Sequence, residues 1–151
     1  MNYSPMQDLK EFHDKFDKDG PARKERMLHT ELHEKRAKLI QEEYYEVQDA
    51  LSLYMKYQAR KNLWEMAPAF DKTLANSREE LAKELADLLY VVYGTAEELG
   101  IPLEEVFAKV HESNMSKVWD DGTVHYNEFG KVLKPNTYSP PDLSFIHEHR
   151  V

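Results

Sequence analysis

The stretch Leu81-Ala-Lys-Glu84-Leu-Ala-Asp87-Leu-Leu-Tyr-Val-Val-Tyr-Gly94 decides the fold. At about 100° per residue its apolar side chains cover nearly every side of a helix, and such a helix belongs inside a larger assembly. The unbroken apolar run within it, Leu88 to Tyr93, is far shorter than the roughly 20 residues a membrane span requires. A protein interior, with no membrane partner, is the expectation. Two acids, Glu84 and Asp87, interrupt this most apolar part of the chain.

Outward from this segment, start and stop signals mark four helices. Ser77 with Glu80 three residues later reads as a capping box for the central helix, and Gly100 as its stop. Upstream, a helix beginning near Thr30 and running past Tyr54 carries Leu32, Leu39, Ile40, Tyr44, Val47, Leu51 and Tyr54 at steps of three, four or seven. Ser4-Pro5-Met6-Gln7 offers an N-cap and a proline at the first helical position. It predicts a short helix to about Phe16, stopped by the Asp-Lys-Asp-Gly turn at 17–20. Pro102 opens a fourth helix with Leu103, Val106, Phe107 and Val110 on one stripe. Period-2 alternation is absent except for a short hairpin expected around Asp121-Gly122. Pro135, Pro140 and Pro141 mark an irregular tail. The expectation is an all-α bundle of four to five helices in a single domain, with a core at about 30–118 and a tail at 119–151. Four helices do not cover the segment around Leu88, so assembly as a homodimer or homotetramer is expected.

Composition narrows the function. With 20 basic and 28 acidic residues among 151, the net charge is −8, which lacks the basic stripe of a duplex-binding protein. No nucleic-acid partner is expected. A nucleotide remains compatible if bound cations separate carboxylates from phosphates. Cysteine is absent, which excludes thiolate chemistry and disulfides and favours a cytoplasmic address, as does a start without a signal-like apolar segment.

The acids are distributed by helix phase. Glu43 falls inside the apolar stripe of the second helix, Glu46 on its edge and Glu42 one step beyond. In the third helix Glu84 sits at the stripe's margin and Asp87 at i+3 from it. Buried carboxylates without partners cost several kcal/mol or take up protons. Pairs at i and i+3 share a helix face, so Glu43/Glu46 and Glu84/Asp87 each present two oxygen ligands. Such a hard, oxygen-only set suits Mg²⁺, with Mn²⁺ as substitute, better than Zn²⁺. The Glu-x-x-His spacing of di-iron bundles is missing, which disfavours redox iron. On the fourth helix Asn114 and Lys117 continue the apolar stripe toward a polar end.

Taken together, Glu42-Glu43-x-x-Glu46 and Glu84-x-x-Asp87 resemble the EExxE…ExxD signature of the all-α NTP pyrophosphatase superfamily. That group contains MazG proteins, dimeric dUTPases and phosphoribosyl-ATP pyrophosphohydrolases. Val110-His-x-x-Asn114-x-Ser-Lys117 and the tail from Gly130 to Pro140 look like small MazG-like enzymes in particular. The resemblance implies Mg²⁺-dependent hydrolysis of a nucleoside triphosphate between the α and β phosphates, with dUTP or a related deoxynucleotide favoured. It implies metal ligation by Glu43, Glu46, Glu84 and Asp87, with catalysis by Glu42 and Glu43. Glu42 would bind a further metal or orient and deprotonate the attacking water. Asn114, Lys117, Lys131 and Lys134 would contact substrate. Phosphoribosyl-ATP hydrolysis and a non-catalytic cation-binding helical dimer stand as alternatives. One departure is the separation of the two motifs by 37 residues, Val47 to Lys83, more than most such enzymes have.

Overall fold

The computed structural model describes residues 4–16, 30–61 and 68–149. It is all-helical: α1 spans Pro5–Phe16, α2 Thr30–Lys61, α3 Pro68–Glu98 and α4 Leu103–Met115, followed by a 3-10 segment at Ser144–His149. The described residues contain no strand; a single antiparallel bridge joins Tyr126 and Val132. The expected stop at residues 17–20 lies outside the described residues. The chain forms two compact units, residues 1–99 and 100–151.

In the first unit, α1 begins as its signals predict. The Gln7 amide donates to the Ser4 hydroxyl at 3.3 Å and to the Ser4 carbonyl at 3.1 Å. The helices α2 and α3 lie antiparallel, as three pairs along them show. Arg36 meets Glu98, Glu43 meets Glu84 and Asp87, and the Tyr57 and Phe70 rings meet edge-on at 5.9 Å. Positions 36, 40, 43, 47, 50, 54 and 57 of α2 are all at least half-buried, a spacing of three and four that makes one packed face. Positions 74, 77, 81, 84, 88, 91 and 95 do the same on α3. Glu43 and Glu84 therefore stand in the seam itself. The helix α1 packs on α3 through Leu9, Phe12 and His13. Phe12 meets Tyr90 edge-on at 5.4 Å, and His13 Nδ1 lies 2.6 Å from Glu97 Oε2. Gly94 permits this approach: a Cβ there would stand 3.2 Å from Arg36 Nη1 and 3.4 Å from Leu9 Cδ1.

Two boundaries differ from the sequence reading. The helix α3 starts at Pro68, nine residues before Ser77, so the capping box is not its start. Proline suits the first helical position, where no amide hydrogen is needed. Ser77 is instead buried inside the helix, its hydroxyl donating to the Leu74 carbonyl at 2.8 Å. The 37-residue separation is thus largely helix, a lengthening of α2 and α3 at both sides of their connection. The hairpin also moves. Residues 119–123 form a turn with Gly122 at φ +79°, and the bridge closes around Asn127–Lys131 with Gly130 at φ +74°. Positive φ is tolerated by glycine, which explains both positions.

In the second unit, α4 buries Ser113 while Phe107 remains 69% exposed. Ser113 donates to the Ser139 carbonyl at 2.8 Å, and the Ser139 amide donates to Ser116 Oγ at 3.0 Å. The two serines pin the tail to the end of α4.

Candidate functional site

The seam between α2 and α3 gathers the acids. Ligand-capable oxygens of Glu43, Glu84 and Asp87 all lie within 4.8 Å of one another. Glu84 is the deepest, with 5% of its surface exposed, and its Oε2 is buried without a hydrogen-bond partner. Its other oxygen, Oε1, accepts from Lys83 Nζ at 2.8 Å, and the same ammonium lies 2.9 Å from Asp87 Oδ2. Lys83 is the residue that reading by apolar stripes missed. Its signal was available, since lysine four residues before an aspartate shares its helix face.

Electrostatics tie the rest of the set together. Burial first, then repulsion from Glu46, Asp87 and Glu84, pushes the Glu43 carboxyl above its ordinary range. The Lys83 ammonium, hydrogen-bonded to Glu84, holds that carboxyl below its ordinary range against the effect of burial. Glu46 and Glu80 also approach the Glu84 carboxylate. Lys83 itself is raised, first by Glu84 and then by Asp87. Glu43, Glu84 and Asp87 form the close cluster, with Glu46 and Glu80 beside it, so five carboxylates share one ammonium. Glu42 is exposed at the margin and pairs with Lys38 at 3.6 Å.

Of the residues expected to contact substrate, all four lie in the second unit. Asn114 is exposed, and its Oδ1 accepts from Lys117 Nζ at 2.6 Å. Lys134 Nζ stands 4.1 Å over the Tyr138 ring. The Ser113 hydroxyl beside it, then the charges of Lys134 and Lys117, hold the Tyr138 phenol below its ordinary range. Lys117 and Lys134 therefore share one neighbourhood. Lys131 is exposed and its backbone amide donates to Asn127 Oδ1 at 2.8 Å.

A seam of acids on two antiparallel helices, numbered as they are here, invites comparison with known families. Residues 9–114 match the phosphoribosyl-ATP pyrophosphohydrolase family. The chain belongs to that family. Membership makes it a pyrophosphohydrolase, a metal-dependent hydrolase of phosphoric anhydrides with a nucleotide substrate. The match contains all of α2, α3 and the acidic set but stops before Lys117 and the tail. No curated protein matches the chain. Among the described residues, no helix is long and apolar enough to cross a membrane.

Proposed function

We propose that this pyrophosphohydrolase cleaves a nucleoside triphosphate between the α and β phosphates, giving a monophosphate and pyrophosphate, with dUTP or a related deoxynucleotide foremost. The observation that carries the reading is Glu84 Oε2, a buried carboxylate oxygen with no partner inside a cluster of acids. Such an atom is costly unless a cation takes it up. The donor set, all carboxylate oxygens, fits Mg²⁺ and accepts Mn²⁺. Glu43, Glu46, Glu84 and Asp87 would hold the ion.

An ion held by these four carboxylates would supply charge neutralisation for the phosphate oxygens and acidify the attacking water. Glu42, exposed at the margin beside Glu43 and paired with Lys38 at 3.6 Å, would orient that water and accept its proton. Glu43 serves both the metal and the water. Asn114, Lys117, Lys131 and Lys134 would contact the substrate, the lysines as point charges for phosphate; this part rests on the resemblance and on side-chain chemistry. A cavity of about 360 Å³ lies along the seam one helical turn from Glu43, bounded by Ala37, Ile40 and Leu99 and by the polar side chains of His33, Arg36, Thr95 and Glu98. Its volume, with apolar walls and a few polar groups, suits a nucleoside. A homodimer in the cytoplasm is the proposed working form.

The family's name is consistent with a second substrate, phosphoribosyl-ATP, whose cleavage breaks the same kind of bond. A pyrophosphate-release screen decides. Canonical ribo- and deoxynucleoside triphosphates and phosphoribosyl-ATP are each offered with and without Mg²⁺. Release that depends on Mg²⁺ and is fastest with a deoxynucleotide supports the proposal; preference for phosphoribosyl-ATP selects the second reading. Release from none, with melting still raised by Mg²⁺, would leave a cation-binding dimer.

A further inference from the structure

Lys83 occupies the carboxylates that the proposed function assigns to metal. Its ammonium lies 2.8 Å from Glu84 Oε1 and 2.9 Å from Asp87 Oδ2, while Glu84 Oε2 stays buried and unpaired. One univalent cation thus serves two of the three clustered acids and cannot satisfy the third oxygen. The side chain is more than half exposed, so water and a flexible stem give it a route out.

We propose that Lys83 is a resident counter-cation that exchanges with the divalent ion. In the metal-free protein it holds Glu84 and Asp87 together and limits their mutual repulsion. When the site loads, the Lys83 ammonium leaves Glu84 and Asp87 and turns to solvent. Two consequences follow from charge alone. Metal affinity is lower than the bare carboxylate cluster would give, because loading breaks two ion pairs. The metal-free protein is also steadier than the same cluster without an ammonium.

The inference rests on the metal reading, and the experiment separates the two. Mn²⁺ binding is followed by the loss of its free-ion paramagnetic signal, and melting by circular dichroism. The chains compared are the native protein, Lys83→Met and Lys83→Arg, with Glu43→Gln as the site control. For a partly screened surface charge, Lys83→Met should bind Mn²⁺ about tenfold more tightly than native. Lys83→Arg, which keeps the charge, should stay within about threefold. Metal-free Lys83→Met should melt below native, with the gap closing at saturating Mn²⁺. If native binds Mn²⁺ and Lys83→Met binds equally or more weakly, the exchange is overturned and the metal site survives. If neither chain binds Mn²⁺, both readings fall.

Discussion

Glu43 concentrates the conflict between stability and function in one side chain. Its carboxyl is raised by burial and by the acids around it. A group whose folded value lies above its unfolded one contributes stability fully at low pH and loses it as pH climbs through the raised value. In metal-free protein, the stability Glu43 contributes while protonated is therefore present below the ordinary carboxylate range and lost as pH rises through its raised value. Glu84 has the opposite sign, lending stability above its ordinary value that disappears as pH falls through its lowered one. Glu43→Gln should melt with native protein near pH 4 and above it at pH 7, without metal. Paired thermal melts at the two pH values check this. Mg²⁺ should raise the melting temperature of native protein and not that of this variant, which should release no pyrophosphate. Near-native turnover from Glu43→Gln would refute its assignment to the metal.

At the scale of elements, the docking of α1 depends on what α3 leaves out. Gly94 makes room for Leu9, which is 3% exposed, and for the Arg36 guanidinium that pairs with Glu98. Leu9→Ala should cost about 2–4 kcal/mol in denaturant unfolding. Gly94→Leu has no room and should release α1, read as faster amide exchange across residues 5–16. The helix α3 also explains how far the sequence could be read. Its type, its acids and the partnership with α2 were legible from apolar spacing. The depth of Glu84 was not, because α3 is apolar on two faces and a single averaged stripe runs between them. The stripe through Leu81, Leu85, Leu88, Val92 and Leu99 includes Leu85, which is 47% exposed, while the face through Leu74, Leu81, Glu84 and Leu88 meets α2. The start at Pro68 was also readable. The Ser77-Glu80 pair competed with it, and a serine hydroxyl satisfied within its own helix is indistinguishable in sequence from a cap.

Over the whole molecule, the described residues bury few large side chains. The buried apolar ones are Leu9, Ala50, Leu74 and Ala96, and none of the large ones is fully enclosed. Leu85, Leu89 and Tyr90 form an exposed apolar face on α3, and isolated chains of this size normally cover such a face. Dimerisation through it is the proposed remedy. Light scattering should then give twice the 17.8 kDa of one chain, and Leu89→Glu should halve that mass. A native mass of one chain would refute the dimer. Unfolding of a dimer is coupled to concentration, so native melting temperature should climb with protein concentration and that of Leu89→Glu should not.

The anchoring of the tail bears on which substitutions the chain can absorb over time. Ser113 and Ser116 grip the amide and carbonyl of residue 139, not its side chain. The genetic code at position 139 is therefore nearly free, and eighteen of the nineteen replacements keep both backbone groups. Proline alone removes the amide hydrogen. Drift should be visible at 139 and resisted at 113 and 116, an asymmetry between the two ends of the same hydrogen bonds.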